Sequence, residues 1–285
     1  MEIDLCVAMA GGNLNVYAPL FFESLYRNCD TSKLSVHVVE KGAIVPPDRG
    51  EENWNVTLPF EYYVQGVGDN VHEYLLRKQK EVSTPFTIYE KHDPSEFFDK
   101  RGPQDRGWCL GADYSNTLNW MMDNCGSNKW IIFCHLDMIF LEDMITRLRS
   151  EMFDHVGVFG VYAHCWAINR EAYCRVGQKF NDIGSWWLLP TPLVNGFDYR
   201  LRHGGDKRCN PLPEGAKRLF GLDILELIEL MMVAHGWHCD VDGEHPYRSM
   251  VDHMCSGHGY VVEEVAQGQE ERRQYWMKLL GVKAV

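Results

Sequence analysis

Short apolar runs that alternate with stretches of helical periodicity constrain this chain more than any other feature. Residues 3–10, IDLCVAMA, are an apolar run ending at a glycine pair, and residues 14–29, LNVYAPLFFESLYRNC, follow with apolar positions at helical spacing. The order strand, turn, helix then recurs. LSVHVVEKG at 34–42, PFEYYVQG at 59–66 and FTIYEK at 86–91 read as strands, and a helix is predicted over 70–82 between the last two. Strands separated by helices are joined by crossovers, so the expected fold is α/β, a mostly parallel central sheet flanked by helices. With 285 residues, 45% of them hydrophobic, the chain has enough apolar surface for one substantial core, and a single compact domain over 1–285 is expected.

A helix is predicted over 110–125, ending near Gly126, and KWIIFCHLDMIF at 129–140 comes next. This run is apolar on both faces, as a central strand covered by helices must be. His135 and Asp137 interrupt it. Alternation along a strand predicts that both project to the same side at the carboxyl end, where open α/β sheets bind ligands. No Lys or Arg lies between 133 and 144, so the Asp137 carboxylate needs a cation or several hydrogen bonds there. A turn cap for the following residues is the competing use of such an Asp. Further on, 156–173 reads as two strands and a helix start. The stretch 184–215 is rich in Gly, Pro and aromatics and reads as a loop, a candidate lid or pocket wall. Residues 222–237 form the strongest amphipathic helix, with a glycine just past its end.

Net charge of −12 and the lack of a concentrated basic face exclude nucleic acid as the main partner. The one basic cluster, ERRQYW at 271–276, is short and mixed with acid; it reads as a solvated helix face, with a peripheral membrane contact as the weaker alternative. Ten cysteines without a CxxC pair suit reduced thiols, no apolar run approaches the ~18 residues of a membrane span, and the N-terminal residues lack a positive region. A cytoplasmic protein without a transmembrane segment is expected. Gly11-Gly12 lacks the GxGxxG spacing, which disfavours a nicotinamide enzyme.

Taken in order, these signals resemble the nucleotide-sugar glycosyltransferases of the GT-A fold, especially their large inverting group. Phe22, Glu23, Ser24 and Leu25 match that group's leSLl helix. TLNWMMDNCGSNKWIIFCHLD resembles its Asn-bearing helix and DxD strand, with Asn119 on the Asn and His135-Leu136-Asp137 on the DxD. CWAINREAYCRVG, GLDILELIELMMVAHGW and VDHMCSGHGY are similar to the three segments that follow in those enzymes, over most of residues 3–260. The departures are His135 for the first Asp of DxD, Leu222-Asp223 for the Glu-Asp pair and Glu40 for the usual Asp after the second strand.

The resemblance implies a Rossmann-like sheet and transfer of a sugar from a nucleoside-diphosphate sugar, UDP- or GDP-linked, to a glycan or other hydroxyl acceptor. It implies a divalent metal held by Asp137, His253 and His135; the imidazole favours Mn²⁺ over Mg²⁺. Asp223 is implied as the base, with Glu226 as its substitute. The same Asp223 is also a natural helix N-cap. The donor half, about 1–137, would bind the nucleotide sugar through Ala8, Ala10, Gly11, Glu40, Asn119, His135, Leu136 and Asp137. Small residues let a base lie against backbone, and a carboxylate accepts ribose or base hydrogen bonds. Arg106 reaches a phosphate or makes a surface ion pair. The acceptor half, about 138–285, would include Trp186 or Trp187, one stacking on a sugar and the other filling core. A nucleotidyltransferase is the first rival, although AMAGGNLN carries no Lys or Arg. A non-catalytic sugar- or nucleotide-binding relative is the second.

Overall fold

The computed structural model describes residues 1–10, 14–41, 43–45, 63–65, 69–91, 106–161, 164–180, 185–189, 218–222, 225–241, 246–253 and 263–282. In chain order the first elements are β1 (Ile3–Ala10), α1 (Leu14–Asn28), β2 (Leu34–Lys41), β3 (Ala43–Val45), β4 (Tyr63–Gln65), α2 (Asp69–Glu81), β5 (Phe86–Lys91), α3 (Arg106–Asn124) and β6 (Trp130–Cys134). There follow β7 (Met138–Phe140), α4 (Met144–Ser150), β8 (Val156–Val161), β9 (Cys165–Asn169), α5 (Arg170–Val176), β10 (Ser185–Leu189), β11 (Arg218–Leu222) and α6 (Glu226–Ala234). The last are β12 (His238–Val241), a 3-10 turn (Pro246–Met250), β13 (Val251–His253) and α7 (Glu263–Leu280).

Seven strands form the main sheet in the order β12-β8-β9-β6-β1-β2-β5. Every neighbour pair is parallel except the two that involve β9, which runs against both β6 and β8. The expected mostly parallel sheet with helices on its faces is therefore present. Alternation sorts each strand's side chains onto two faces. Ile3, Leu5 and Val7 of β1 join Trp130 and Ile132 of β6 with α1 residues Phe21, Phe22 and Leu25 on one face. Cys6, Ile131, Phe133 and Ile168 meet Leu118 and Met122 of α3 and Ile228 and Met232 of α6 on the other. Full burial of a side chain such as Phe133 contributes about 1.5–3 kcal/mol, and all five β6 residues are buried. That double-sided cover is why the sequence there is continuously apolar.

Helix α1 forms in spite of Pro19 in its interior, a residue that costs an isolated helix ~3 kcal/mol. Burial of Leu20, Phe21, Phe22 and Leu25 offsets that cost. The motif residue Ser24 has a mechanical use. Its buried hydroxyl donates to the Phe21 carbonyl at 3.1 Å and accepts the Phe140 N–H at 3.1 Å, while Asn28 donates to the Phe140 carbonyl at 2.6 Å. Two side chains of α1 thus satisfy the backbone of β7, which lies outside the main sheet and pairs only with β13 among the described strands.

Three expectations about elements are corrected. The run 129–140 is not one strand: β6 stops at Cys134, a turn occupies 135–137, and β7 begins at Met138. The stretch 184–215 is not all loop, since β10 lies in it and pairs antiparallel with β11. The helix expected from 222 starts at Glu226, with Leu225 at its N-cap making no side-chain cap bond. Gly236 closes that helix at φ 88°, a conformation suited to glycine. Chain direction then reverses into β12, which the sequence reading did not separate from the helix.

Candidate functional site

The break after Cys134 puts His135 and Asp137 in a turn at the carboxyl end of β6, with the Met138 N–H bonding the His135 carbonyl at 3.4 Å. The pleat does not bring their side chains together; the turn does. His135 Nδ1 and Asp137 Oδ1 are 3.9 Å apart, and the side chains keep 26% and 16% of their surface exposed. Between them Leu136 packs into the core and anchors the turn.

Antiparallel β9 adds a histidine that sequence reasoning did not select. Cys134 pairs with Cys165, so the next residues outward, His135 and His164, face each other across the ladder. The His135 N–H bonds the His164 carbonyl at 2.8 Å, and the two imidazoles stand edge to face with centroids 5.5 Å apart. The signal was present as a mirrored pair of dipeptides, Cys-His at 134–135 and His-Cys at 164–165. From α3, the Tyr114 hydroxyl shares a 2.8 Å hydrogen bond with His135 Nε2. That contact sets the ring's orientation and turns Nδ1 towards Asp137.

A third segment arrives from the far end of the chain. β13 runs antiparallel to β7 with His253 opposite Met138, so the backbone of His253 lies beside the residue that follows Asp137. The 3.9 Å between His135 Nδ1 and Asp137 Oδ1 is within the ~4.2 Å that two metal–ligand bonds of about 2.1 Å can span. Mixed imidazole and carboxylate donors suit a divalent first-row ion. Among the described residues no three His, Cys, Asp or Glu side chains form a metal-holding group. The β13 register brings the backbone of His253 beside this pair.

Glu40, at the carboxyl end of β2, is fully buried and takes a 2.8 Å hydrogen bond from His72 Nδ1 of α2, while His72 Nε2 lies 3.7 Å from Glu90. The Glu40 hydrogen bond, opposed by burial, raises the His72 pKa above its ordinary value. Asn119 was expected against a nucleotide. In this structure its Oδ1 accepts the Phe180 N–H at 2.9 Å and the Tyr173 hydroxyl at 3.1 Å, and its Nδ2 donates to the Phe180 carbonyl at 3.2 Å. Ala8 is half-buried against the second core face. Gly11 and Asp223 lie outside the described residues, as do the side chains of Ala10, Arg106, Trp186, Trp187, Glu226 and His253. At the level of backbone, the β10–β11 ribbon sets Trp186 opposite Gly221 and Ser185 opposite Leu222, one residue short of Asp223.

No protein-family model matches the chain, and no curated protein matches it. Solved structures of similar chain trace are glycosyltransferases. The mannosyltransferase PcManGT from Pyrobaculum calidifontis, in complex with GDP-Man and Mn²⁺, is 11% identical, with 100% of this chain and 66% of that one covered and a TM-score of 0.49. The apo-form glycosyltransferase GlyE of Streptococcus pneumoniae TIGR4 is 8% identical over 99% of this chain and 62% of that one, at 0.47. The galactosyltransferase LgtC, in complex with donor and acceptor sugar analogs, is 8% identical over 60% and 59%, at 0.40. The chain spans about two-thirds or less of the length of these structures.

Proposed function

We propose that this chain is a cytoplasmic glycosyltransferase that moves a sugar from a nucleoside-diphosphate sugar to a hydroxyl acceptor. One observation carries the reading: the 135–137 turn, the His164 hairpin and the β13 strand, far apart in sequence, meet at the carboxyl end of β6. Open α/β sheets offer their ligand site at that end. In this reading the segments up to about residue 137 bind the donor, and the remainder builds the acceptor side.

His135, Asp137 and His253 are the residues that would hold a divalent ion, with Mn²⁺ preferred to Mg²⁺. When bound there, such an ion neutralises the charge that develops on the departing diphosphate oxygens. The protein's own groups do the rest. Tyr114 orients His135, and Leu136 fixes the turn, so the two donors are preorganised before any ligand arrives. Asp223 takes the proton of the acceptor hydroxyl as its oxygen attacks the anomeric carbon; the bond from that carbon to the diphosphate oxygen breaks and the nucleoside diphosphate leaves. Direct displacement of this kind inverts the anomeric centre. The pairing of β10 with β11 runs the Trp186-Trp187 backbone alongside the segment that leads into Asp223, which suits an acceptor wall placed beside the base.

The test is nucleotide release from a panel of UDP- and GDP-sugars with Mn²⁺, Mg²⁺ or chelator. Turnover with at least one donor is expected. Asp137→Ala should abolish metal-supported donor binding measured by calorimetry. Asp223→Asn should keep donor affinity and lose transfer. Binding without release under every condition would leave a non-catalytic sugar-binding protein, and full turnover by Asp223→Asn would remove Asp223 as the base.

A further inference from the structure

The strand that carries His253 is too short to hold itself in place. β13 and β7 are three residues each, and a two-stranded ribbon of that size is marginal in water. On the β7 side, Ser24 and Asn28 of α1 satisfy Phe140, and the Leu141 N–H bonds the Met250 carbonyl at 2.8 Å. On the β13 side the fastening comes from α7, the helix whose 271–276 segment reads from sequence as a plain solvated face.

Asp252 sits in the middle of β13, immediately before His253, with only 12% of its side chain exposed. Arg272 of α7 grips both its oxygens, Nε reaching Oδ2 at 3.0 Å and a terminal nitrogen reaching Oδ1. One turn later the Trp276 indole N–H donates to Oδ2 at 2.7 Å. A forked guanidinium–carboxylate contact with an added N–H fixes orientation as well as distance. The helix is itself held: Leu280, Trp276 and Met277 pack with Leu20 of α1 and Ile139 of β7, and Arg27 of α1 donates to the Leu280 carbonyl at 2.8 Å. Ile139 is the register partner of Asp252. Helix α7 therefore straps across α1 and both strands of the ribbon, and its Arg272 and Trp276 hold the residue next to His253.

We propose that Asp252, Arg272 and Trp276 are positioning residues that set where His253 meets the 135–137 turn, so that the last helix tunes metal and donor binding without touching either. The proposal rests on the reading of His253 as a metal ligand, and the experiment separates the two. Mn²⁺ alone is titrated into the whole protein and free Mn²⁺ is followed by its paramagnetic resonance signal, with melting temperature recorded for every variant. His253→Ala and Asp137→Ala should each remove the binding. Arg272→Gln and Trp276→Phe should weaken it several-fold to about tenfold, the low end of what outer partners of metal ligands contribute. Arg272→Lys should fall between, and Leu279→Ser, on the exposed face of α7, should bind as the unaltered protein does. Because the clamp acts through His253, Arg272→Gln should add nothing in the His253→Ala background. Melting temperatures should stay within a few degrees, since Arg272 is 46% exposed. Unchanged Mn²⁺ affinity in Arg272→Gln and Trp276→Phe, with loss in Asp137→Ala, overturns the clamp and leaves the site standing. Equal affinity in Asp137→Ala and the unaltered protein overturns the site, and no Mn²⁺ binding by the unaltered protein overturns both.

Discussion

Two histidine–carboxylate pairs sit at opposite ends of the same sheet and have been built to different ends. At the amino end, Asp4 of β1 is 1% exposed and is surrounded by donors: His37 Nε2 at 3.2 Å, the Asn128 N–H at 2.9 Å, the Asn128 amide at 2.8 Å and Arg170 at 3.4 Å. Arg170 also donates to the Met122 and Cys125 carbonyls where α3 ends, and the Tyr89 hydroxyl lies 3.1 Å from the other His37 nitrogen. At the carboxyl end, His135 and Asp137 are 3.9 Å apart and remain partly open to solvent. The same residue types are closed into a brace at one end and held apart, in reach of solvent, at the other. Enclosure of the carboxylate, not the identity of the pair, is what differs between the two ends.

The contrast breaks most visibly at the brace. Asp4→Ala leaves Arg170 and His37 without their shared carboxylate and should lower unfolding free energy by about 3–5 kcal/mol, read by urea denaturation. Burial alone would raise the Asp4 pKa, yet the hydrogen bonds from His37 and Asn128 outweigh it and hold the carboxyl below its ordinary 3.8. A depressed folded pKa gives stability that is present above the unfolded value and lost as pH falls through the folded one. The unaltered protein should therefore lose stability below about pH 4, and Asp4→Ala should lose less of it there. Gly126 is the next largest lever. It holds φ 64°, and a Cβ there would run into the Asp4 carboxyl group. Gly126→Ala should destabilise by about 1–3 kcal/mol, by the same measurement.

Much of this was legible in the sequence, and the illegible part has a common cause. β1, α1, β2 and β5 were placed almost to the residue, because alternating apolar runs and helical spacing depend only on neighbours along the chain. Asp137 stands out in the sequence for a similar local reason, a carboxylate in an apolar run without a nearby base. What escaped was whatever depends on a distant strand. His164 matters only because β9 turns back against β6, and Arg272 only because α7 crosses β13. Asn119 was matched to a motif position, but its partner is Phe180, 61 residues on. The turn at 135–137 was read as strand since three apolar residues follow it, and β7 uses them to pair with β13 outside the main sheet.

A smaller test concerns the intermediate case, Glu40 and His72. Glu40 is fully buried like Asp4, but His72 retains 30% of its surface. The Glu40 hydrogen bond raises the His72 pKa, so the stability from this pair is fully present below the unfolded value of about 6.5 and lost as pH rises through the folded one. His72→Gln should flatten the decline of melting temperature on the alkaline side of pH 6.5 and leave the acid limb set by Asp4 in place. A variant that shifts both limbs would mean that the two ends of the sheet are coupled.

The smallest expected change decides the most. Asp137→Ala should lower unfolding free energy by about 1 kcal/mol or less, because its side chain keeps 16% of its surface where that of Asp4 keeps 1%. The same variant should lose metal-supported donor binding entirely. Stability kept and ligand lost is the signature of a group placed for something other than the fold. If Asp137→Ala instead costs as much as Asp4→Ala, the carboxyl-end pair is a second brace, and the contrast between the two ends of the sheet is gone.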